Sequence, residues 1–435
     1  MKRLKSRSIN IVTMGCSKNL VDSEFILARF ANAGWKVEFD APSSGQDLVI
    51  INTCGFIGDA RQESIDMILE YAGAKTNGRI GKLCVMGCLS QKYKDELLKE
   101  IPEADLILGV DALEELTRIF ELDQARCAGD ERLISTPSHY AYLKISEGCD
   151  RSCSFCSIPE IRGQHISRPL ESLVKEAAQL AGKGVKELII IAQDITWYGY
   201  DLYNKQMLVP LLKELQTIRG IEWIRLHYAF PSGFPEDLLD LMNESKIICR
   251  YLDIPLQHIS DNMLQKMRRG ISREKTIYLI NKIREKVPGI AIRTTMLAGH
   301  PGETEEDIDE LKEFVKNSRF ERLGVFPYSH EENTYSYNKY KDLIPDRIKN
   351  RRVSEIMLIQ QEISANLNNE RVGQVLKVLI DREDDEYYYA RTEFDSPEVD
   401  NEVIIKNNGL LGAGQFCMVR ITDAGEFDLF AEVLP

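Results

Sequence analysis

The chain has 435 residues, 43% of them hydrophobic and 28% charged, with a formal net charge of −13. Such a balance is ordinary for a soluble chain of two or three domains; no apolar run is long enough for a membrane span, and the polar start MKRLKSRSIN lacks the apolar core of a secretory signal, so a cytoplasmic location is expected. The acidic total disfavours nucleic acid as the direct substrate and favours a basic partner, while ten cysteines in a reducing compartment point to metal or redox chemistry rather than disulfides.

In chain order, the first segment alternates strand-like and helix-like stretches. SINIVTMGC, DLVIINTCG and GKLCVMGC are apolar runs of strand length, separated by helical patterns such as SEFILARFANAGW and RQESIDMILEYAGA. Alternation of this kind predicts an α/β domain with an open parallel sheet over residues 6–125. Residues 127–140, which include Cys127, are polar and irregular and read as a linker. Strands are then expected in YAYLKISEG, ELIIIAQD, WIRLHYAF, YLDIPLQ, AIRTTMLAG and RLGVFPY, each separated from the next by helical sequence. Six βα units in a row predict a partial (β/α) barrel over residues 135–366. From 368 to 435 five short strands alternate with turn residues, the pattern of a small antiparallel β-barrel. Residues 371–435 hold six Lys or Arg against fourteen Asp or Glu, so this barrel is expected to meet something basic.

The densest chemistry lies in EGCDRSCSFCSIP, where Cys149, Cys153 and Cys156 follow the first strand of the central barrel. Barrel enzymes carry their chemistry on loops at the carboxyl ends of strands. Structural zinc sites use four protein ligands, and a [4Fe–4S] cluster normally takes one thiolate per iron. Three thiolates leave one iron open; the alternative is a zinc knuckle completed by a remote residue such as His165. The C-x3-C-x2-C spacing resembles the signature of the radical S-adenosylmethionine (SAM) enzymes. That resemblance implies that SAM chelates the open iron and that an electron from the cluster cleaves it to a 5′-deoxyadenosyl radical. It also places Phe155 near the adenine, although packing would serve that residue equally well. Arg162 and Arg168 suit carboxylate recognition, and Gly163 permits close backbone approach. Gln193, Asp194 and Gly299, at the ends of later strands, are candidate SAM contacts or ordinary loop residues. PGETEED also reads as a helix start.

Cys16, Cys54 and Cys88 each end a predicted strand of the first domain. In an open α/β sheet, ligands bind beyond the carboxyl ends of the strands, so neighbouring strands would bring these thiols together as a second three-cysteine site. Burial in the core is the competing reading, and it is the one expected for Cys84, Cys249 and Cys417.

The combination of a two-cluster chain with a terminal β-barrel resembles the methylthiotransferase family over essentially its whole length. Two [4Fe–4S] clusters and SAM are then the implied cofactors, the second cluster supplying sulfur and SAM serving as methyl donor and radical source. The words MGCSKNLVDSE, NTCGFIGDARQES, EGCDRSCSFCSIPEIRG and LHYAFP are similar to the branch acting on an aspartate of protein twelve of the small ribosomal subunit, as is EFDSPEVDN with Asp395, Glu398 and Asp400. Ser17 and Lys18 stand where the tRNA branch has a different pair. The expected partners are that basic ribosomal protein and a reductant such as flavodoxin. The alternative is tRNA adenosine 2-methylthiotransfer, and a colourless zinc-stabilised module is the non-enzymatic rival. His300 departs from the aromatic or apolar residue usual in that loop. No residue is singled out as catalytic.

Overall fold

The computed structural model describes residues 7–43, 45–122 and 131–434; Cys127 and the start of the expected linker lie outside them. Two compact units are present. The first comprises the chain up to Thr136 with Glu147–Asp150 and Ser157–Ile166, and the second comprises Pro137–Ser146, Arg151–Cys156 and the chain from Ser167 onward.

In the first unit, strands β1 (Ser8–Thr13), β2 (Lys36–Phe39), β3 (Leu48–Thr53), β4 (Lys82–Gly87) and β5 (Leu106–Ile107) form a parallel sheet in the order β2-β1-β3-β4-β5. All six residues of β3 are buried, as a strand covered by helices on both faces requires. Alternate side chains feed two separate cores: Val49 and Ile51 meet Ile68 and Tyr71 of the helix Gly58–Thr76, whereas Leu48 and Ile50 meet Ile26 and Phe30 of the helix Ser17–Asn32. The edge strands β2 and β5 escape the periodicity because one is only partly buried and the other has two residues. In this doubly wound order the chain reverses direction between β1 and β3, and a crevice forms at the carboxyl ends of such a pair.

The second unit holds six parallel strands: β6 (Tyr140–Lys144), β9 (Glu187–Ile191), β10 (Trp223–Leu226), β11 (Ile248–Asp253), β12 (Ala291–Ala298) and β13 (Arg322–Pro327). Their spatial order follows the sequence and the sheet does not close, which is the expected partial barrel. Two short strands, β7 (Ser146–Glu147) and β8 (Ile166–Ser167), form a separate pair. The strands β14 (Val375–Glu383), β15 (Tyr387–Thr392), β16 (Val403–Lys406), β17 (Phe416–Ala424) and β18 (Leu429–Val433) close in the order β14-β15-β16-β18-β17. The closure is antiparallel except for β16 and β18, which run parallel.

This terminal barrel docks on the starts of the central strands, opposite the ends where the chemistry is expected. Trp223, Cys249 and Ala291 share a core with Leu379, and Trp223 meets Phe416 edge to face at 4.8 Å. Polar ties reinforce the seam: Arg322 pairs with Asp395, Arg293 lies 3.4 Å from Asp400, and Tyr251 donates to Asp400 at 2.7 Å. Asp395 and Asp400, from the acidic word EFDSPEVDN, are thus taken up within the barrel seam. A carboxylate facing an arginine across a buried seam is neutralised there and presents no charge to a partner.

Candidate active site

Because β1, β3 and β4 are adjacent, their carboxyl ends carry Cys16, Cys54 and Cys88 to one place. Cys16 is the N-cap of the helix Ser17–Asn32, Cys54 follows Thr53, and Cys88 opens the short helix Cys88–Lys92. The turns leave no spare room. A Cβ on Gly15 would stand 2.9 Å from the Cys54 sulfur, one on Gly55 would meet Leu89 Cα at 2.7 Å, and one on Gly87 would meet Thr53 O at 2.6 Å. Asn19, fully buried, ties the strand ends together by donating to Met14 O (2.8 Å) and Thr53 O (3.0 Å). Burial raises the Cys54 pKa and pushes the Cys88 thiol up to about 11 against the opposing pull of Arg162. Among the described residues no three His, Cys, Asp or Glu side chains stand ready-made as a metal cage. The donor chemistry nonetheless fits an iron–sulfur group: three sulfurs stand at one crevice, and burial favours the protonated form of two of them, Cys54 and Cys88, whose protons leave when a metal binds.

Arg162, whose residue type suits carboxylate recognition, has its guanidinium held within the first unit. Nε donates to Cys88 Sγ at 3.4 Å, Nη1 to Glu147 at 2.8 Å and Asp22 at 3.2 Å, and Nη2 to Asn19 Oδ1. Burial alone would lower its pKa, but Asp22, Cys88 and Glu147 outweigh that and keep it charged. It thus balances the charge that Cys88 would carry as a ligand.

Cys149 also belongs to the first unit, and its N–H donates to Gly163 O at 3.1 Å. His165, the alternative zinc ligand, is buried there and donates its backbone N–H to Asp150. The preceding Gly148 has φ +73°, and a Cβ there would lie 2.0 Å from Gln164 O. We expect Gly148→Ala to cost more than the ~1–2 kcal/mol of a left-handed residue, because backbone must move as well. The expected readouts are a lower urea midpoint and less iron retained on purification; an unchanged pair would refute this account of the turn.

In the second unit, Cys156 N–H donates to Cys153 O at 3.2 Å, which turns the loop tightly. Ser154, between Cys153 and Phe155, is fully buried; its N–H donates to Met267 O and its carbonyl accepts from Ser336 N–H at 2.7 Å. The unusual His300 completes this anchor, with Nε2 2.8 Å from Ser336 Oγ and 3.4 Å from Ser154 Oγ. Burial holds its pKa down at about 4, so it is neutral at physiological pH and serves as a hydrogen-bonding strut.

Three regions match family models: residues 8–109 the Uncharacterized protein family UPF0004, 143–315 the Radical SAM superfamily, and 372–434 the TRAM domain. The chain is 55% identical to ribosomal protein uS12 methylthiotransferase RimO of Cytophaga hutchinsonii, covering 98% of each chain, and 52% identical to that of Bacteroides thetaiotaomicron over 99% of each. The chain belongs to the uS12 methylthiotransferase family. Among solved structures, the radical SAM methyltransferase TsrM from Kitasatospora setae shares the fold, with a TM-score of 0.55 at 16% identity over 94% of this chain and 84% of that one.

As a member of the uS12 methylthiotransferase family, the chain is a radical SAM enzyme with SAM and iron–sulfur clusters as its cofactors. The expected SAM contacts distribute unevenly. Phe155 and Gln193 are half-buried beyond β6 and β9. Gly299 follows β12 with φ +87°, where a Cβ would strike the Lys349 side chain, and its N–H donates to Glu303 at 2.8 Å. Asp194 is committed within the protein: it accepts from Thr196 and, at 2.8 Å, from Arg151 Nε. Arg168 pairs with Glu176 at 2.6 Å. PGETEED does begin a helix, with Thr304 and Asp307 forming a capping box. Cys84 and Cys249 are buried in the core, and Cys417 is half-buried in β17. Sequence reasoning missed Asn19, Arg151 and Arg269. Of these Asn19, in the first turn after Cys16, and Arg151, inside the loop between Cys149 and Cys153, had a local signal, whereas Arg269 had none.

Proposed function

We propose that this chain attaches a methylthio group to the β-carbon of an aspartate in ribosomal protein uS12. The observation that carries the reading is the presence, in one chain, of two three-cysteine sets at carboxyl ends of parallel strands, on a sequence 55% identical to a curated uS12 methylthiotransferase. We assign Cys149, Cys153 and Cys156 to the SAM-side [4Fe–4S] cluster, and Cys16, Cys54 and Cys88 to the second. When bound, the first supplies the electron that cleaves SAM to a hydrogen-abstracting radical, and the second supplies the sulfur that is methylated and transferred. An inert C–H bond gives an acid or base nothing to work on, so cofactor chemistry of this kind is required.

The protein's own residues orient and insulate these groups. Arg162 holds Cys88 and would balance its charge as a ligand, Ser154 anchors the loop, and we assign Phe155, Gln193 and Gly299 to the SAM pocket. Residues 6–125 act as the sulfur-donating domain, 135–366 as the radical core and 368–435 as the substrate-binding barrel. On that barrel Glu383, Asp384, Asp385 and Glu386 remain exposed at the β14–β15 turn, a charge suited to a basic ribosomal protein. Among the described residues no helix is long and apolar enough to cross a membrane; we propose that the enzyme works in the cytoplasm with a flavodoxin-type reductant. The test is anaerobic incubation of reconstituted protein with SAM, dithionite and either uS12 or tRNA, followed by mass spectrometry. Methylthiolation of the uS12 aspartate is the expected result. Methylthiolation of adenosine in tRNA, with uS12 untouched, would overturn the substrate assignment.

A further inference from the structure

We propose that Arg269 is a positioning residue for the SAM-side iron–sulfur group, holding the Cys153 sulfur and biasing the bound group towards its reduced form. The inference rests on the reading above that Cys153 is a cluster ligand. Arg269 is 4% exposed, and its Nη1 donates to Cys153 Sγ at 3.1 Å. Nη2 donates to Pro255 O, and the guanidinium lies 4.3 Å from the centre of the Phe230 ring. The same ring receives Arg151 at 4.3 Å, itself fixed by Asp194. Phe230 thus has two guanidinium groups against it, and Arg269 has little freedom to turn away from the sulfur.

Its charge is the telling feature. Among the described residues no carboxylate pairs with Arg269, and its Nε is a buried donor with no hydrogen-bond partner. A buried cation needs a counter-charge. Here a sulfur, a carbonyl and an aromatic face surround it, and of these only the sulfur can become an anion. A thiolate-ligated cluster supplies that negative charge and gains more of it on reduction. Hydrogen bonds and positive charge at ligand sulfur therefore favour the reduced state. The electron comes from the external reductant, and Arg269 neither gains nor loses a proton. It would act through Cys153 rather than on the substrate.

The experiment uses the full chain with Cys16, Cys54 and Cys88 replaced by alanine, so that a single cluster remains. After reconstitution with iron and sulfide, it is titrated with dithionite and mediators and followed by electron paramagnetic resonance. In Arg269→Gln the ratio of reduced to oxidised cluster at a fixed potential is expected to fall at least tenfold, equivalent to about 59 mV for one electron. In Arg269→Lys, which keeps the charge but not the fork, the shift should be smaller and in the same direction. An iron-loaded Arg269→Gln protein with the parent's potential overturns the proposal. Should Arg269→Gln hold no iron, Arg269→Lys decides: a shifted potential supports the proposal and an unshifted one overturns it. Failure of the parent chain itself to bind a cluster would instead sink the functional reading on which the inference stands.

Discussion

Replacing Cys149, Cys153 and Cys156 with alanine should halve the iron held by the reconstituted protein and reduce SAM cleavage to background. The remaining iron would be that of the Cys16, Cys54 and Cys88 site, whose ligands come from three different strands of the other sheet. The reciprocal variant, with those three cysteines replaced, should also lose half the iron but still cleave SAM. It should yield 5′-deoxyadenosine and no methylthiolated product, because radical generation and sulfur supply sit on separate ligand sets. Iron analysis, chromatography of the nucleoside and mass spectrometry of the substrate check the three arms. The outcome that sinks the two-site reading is a triple Cys16, Cys54 and Cys88 variant that retains all its iron. Zinc in place of iron in both variants would return the chain to a structural metal module.

The largest stability effect is expected at Glu187, the first residue of β9. Its carboxylate is fully buried and accepts from Arg225 Nε and from Arg391 Nη2, each at 2.7 Å. Arg391 also pairs with Asp381, which in turn meets His139 at 2.8 Å, and Arg225 donates to Glu393 O at 2.7 Å. The set bolts the terminal barrel to the starts of the central strands. Glu187→Ala leaves two buried guanidinium groups short of a partner, and losing one member of such a set typically costs about 3–5 kcal/mol. Replacing the whole set (Glu187→Leu with Arg225→Met and Arg391→Met, and Asp381→Asn because Asp381 loses Arg391) should cost less than Glu187→Ala alone, since no arginine or carboxylate of the set is then left without its counter-charge. Denaturant midpoints measure both. A Glu187→Ala midpoint within error of the parent would show that the seam does not depend on these charges.

The pH dependence has a definite sign. Burial by itself would raise the Glu187 pKa, but Arg391 and Arg225 overcome it and hold the carboxyl below the usual range. A depressed native pKa gives stability that is present above the unfolded value, about 4.3, and is lost as pH falls through the native value. The parent should therefore lose stability more steeply in acid than Glu187→Ala. Glu187 lies at the opposite strand end from the cysteine loop, so folded Glu187→Ala protein should cleave SAM normally.

Much of this architecture was legible because the signals are local. The C-x3-C-x2-C spacing lies within one loop, and the six central strands and five barrel strands each carry their period in a few residues. What escaped was short or required distance. β5 has two residues, too few to show a pattern. Arg162 suits carboxylate recognition by residue type, but spacing gives no sign that its Nε meets a sulfur 74 positions away. Asp395 and Asp400 count towards the acidic total of residues 371–435, but sequence shows charge without its partner, and Arg322 and Arg293 stand across the seam.

The sequence by itself determined which chemistry this protein could carry: two sets of three thiols, each placed by strand periodicity at the carboxyl end of a parallel strand. Residue type and local spacing are enough for that, since a ligand set and a strand end are defined over a few positions. Only the tertiary structure decided which charges meet. It placed Arg269 on Cys153 across 116 positions and Arg391 on Glu187 across 204. A buried charge is stable only beside its counter-charge, and which residues end up buried together depends on how the whole chain folds.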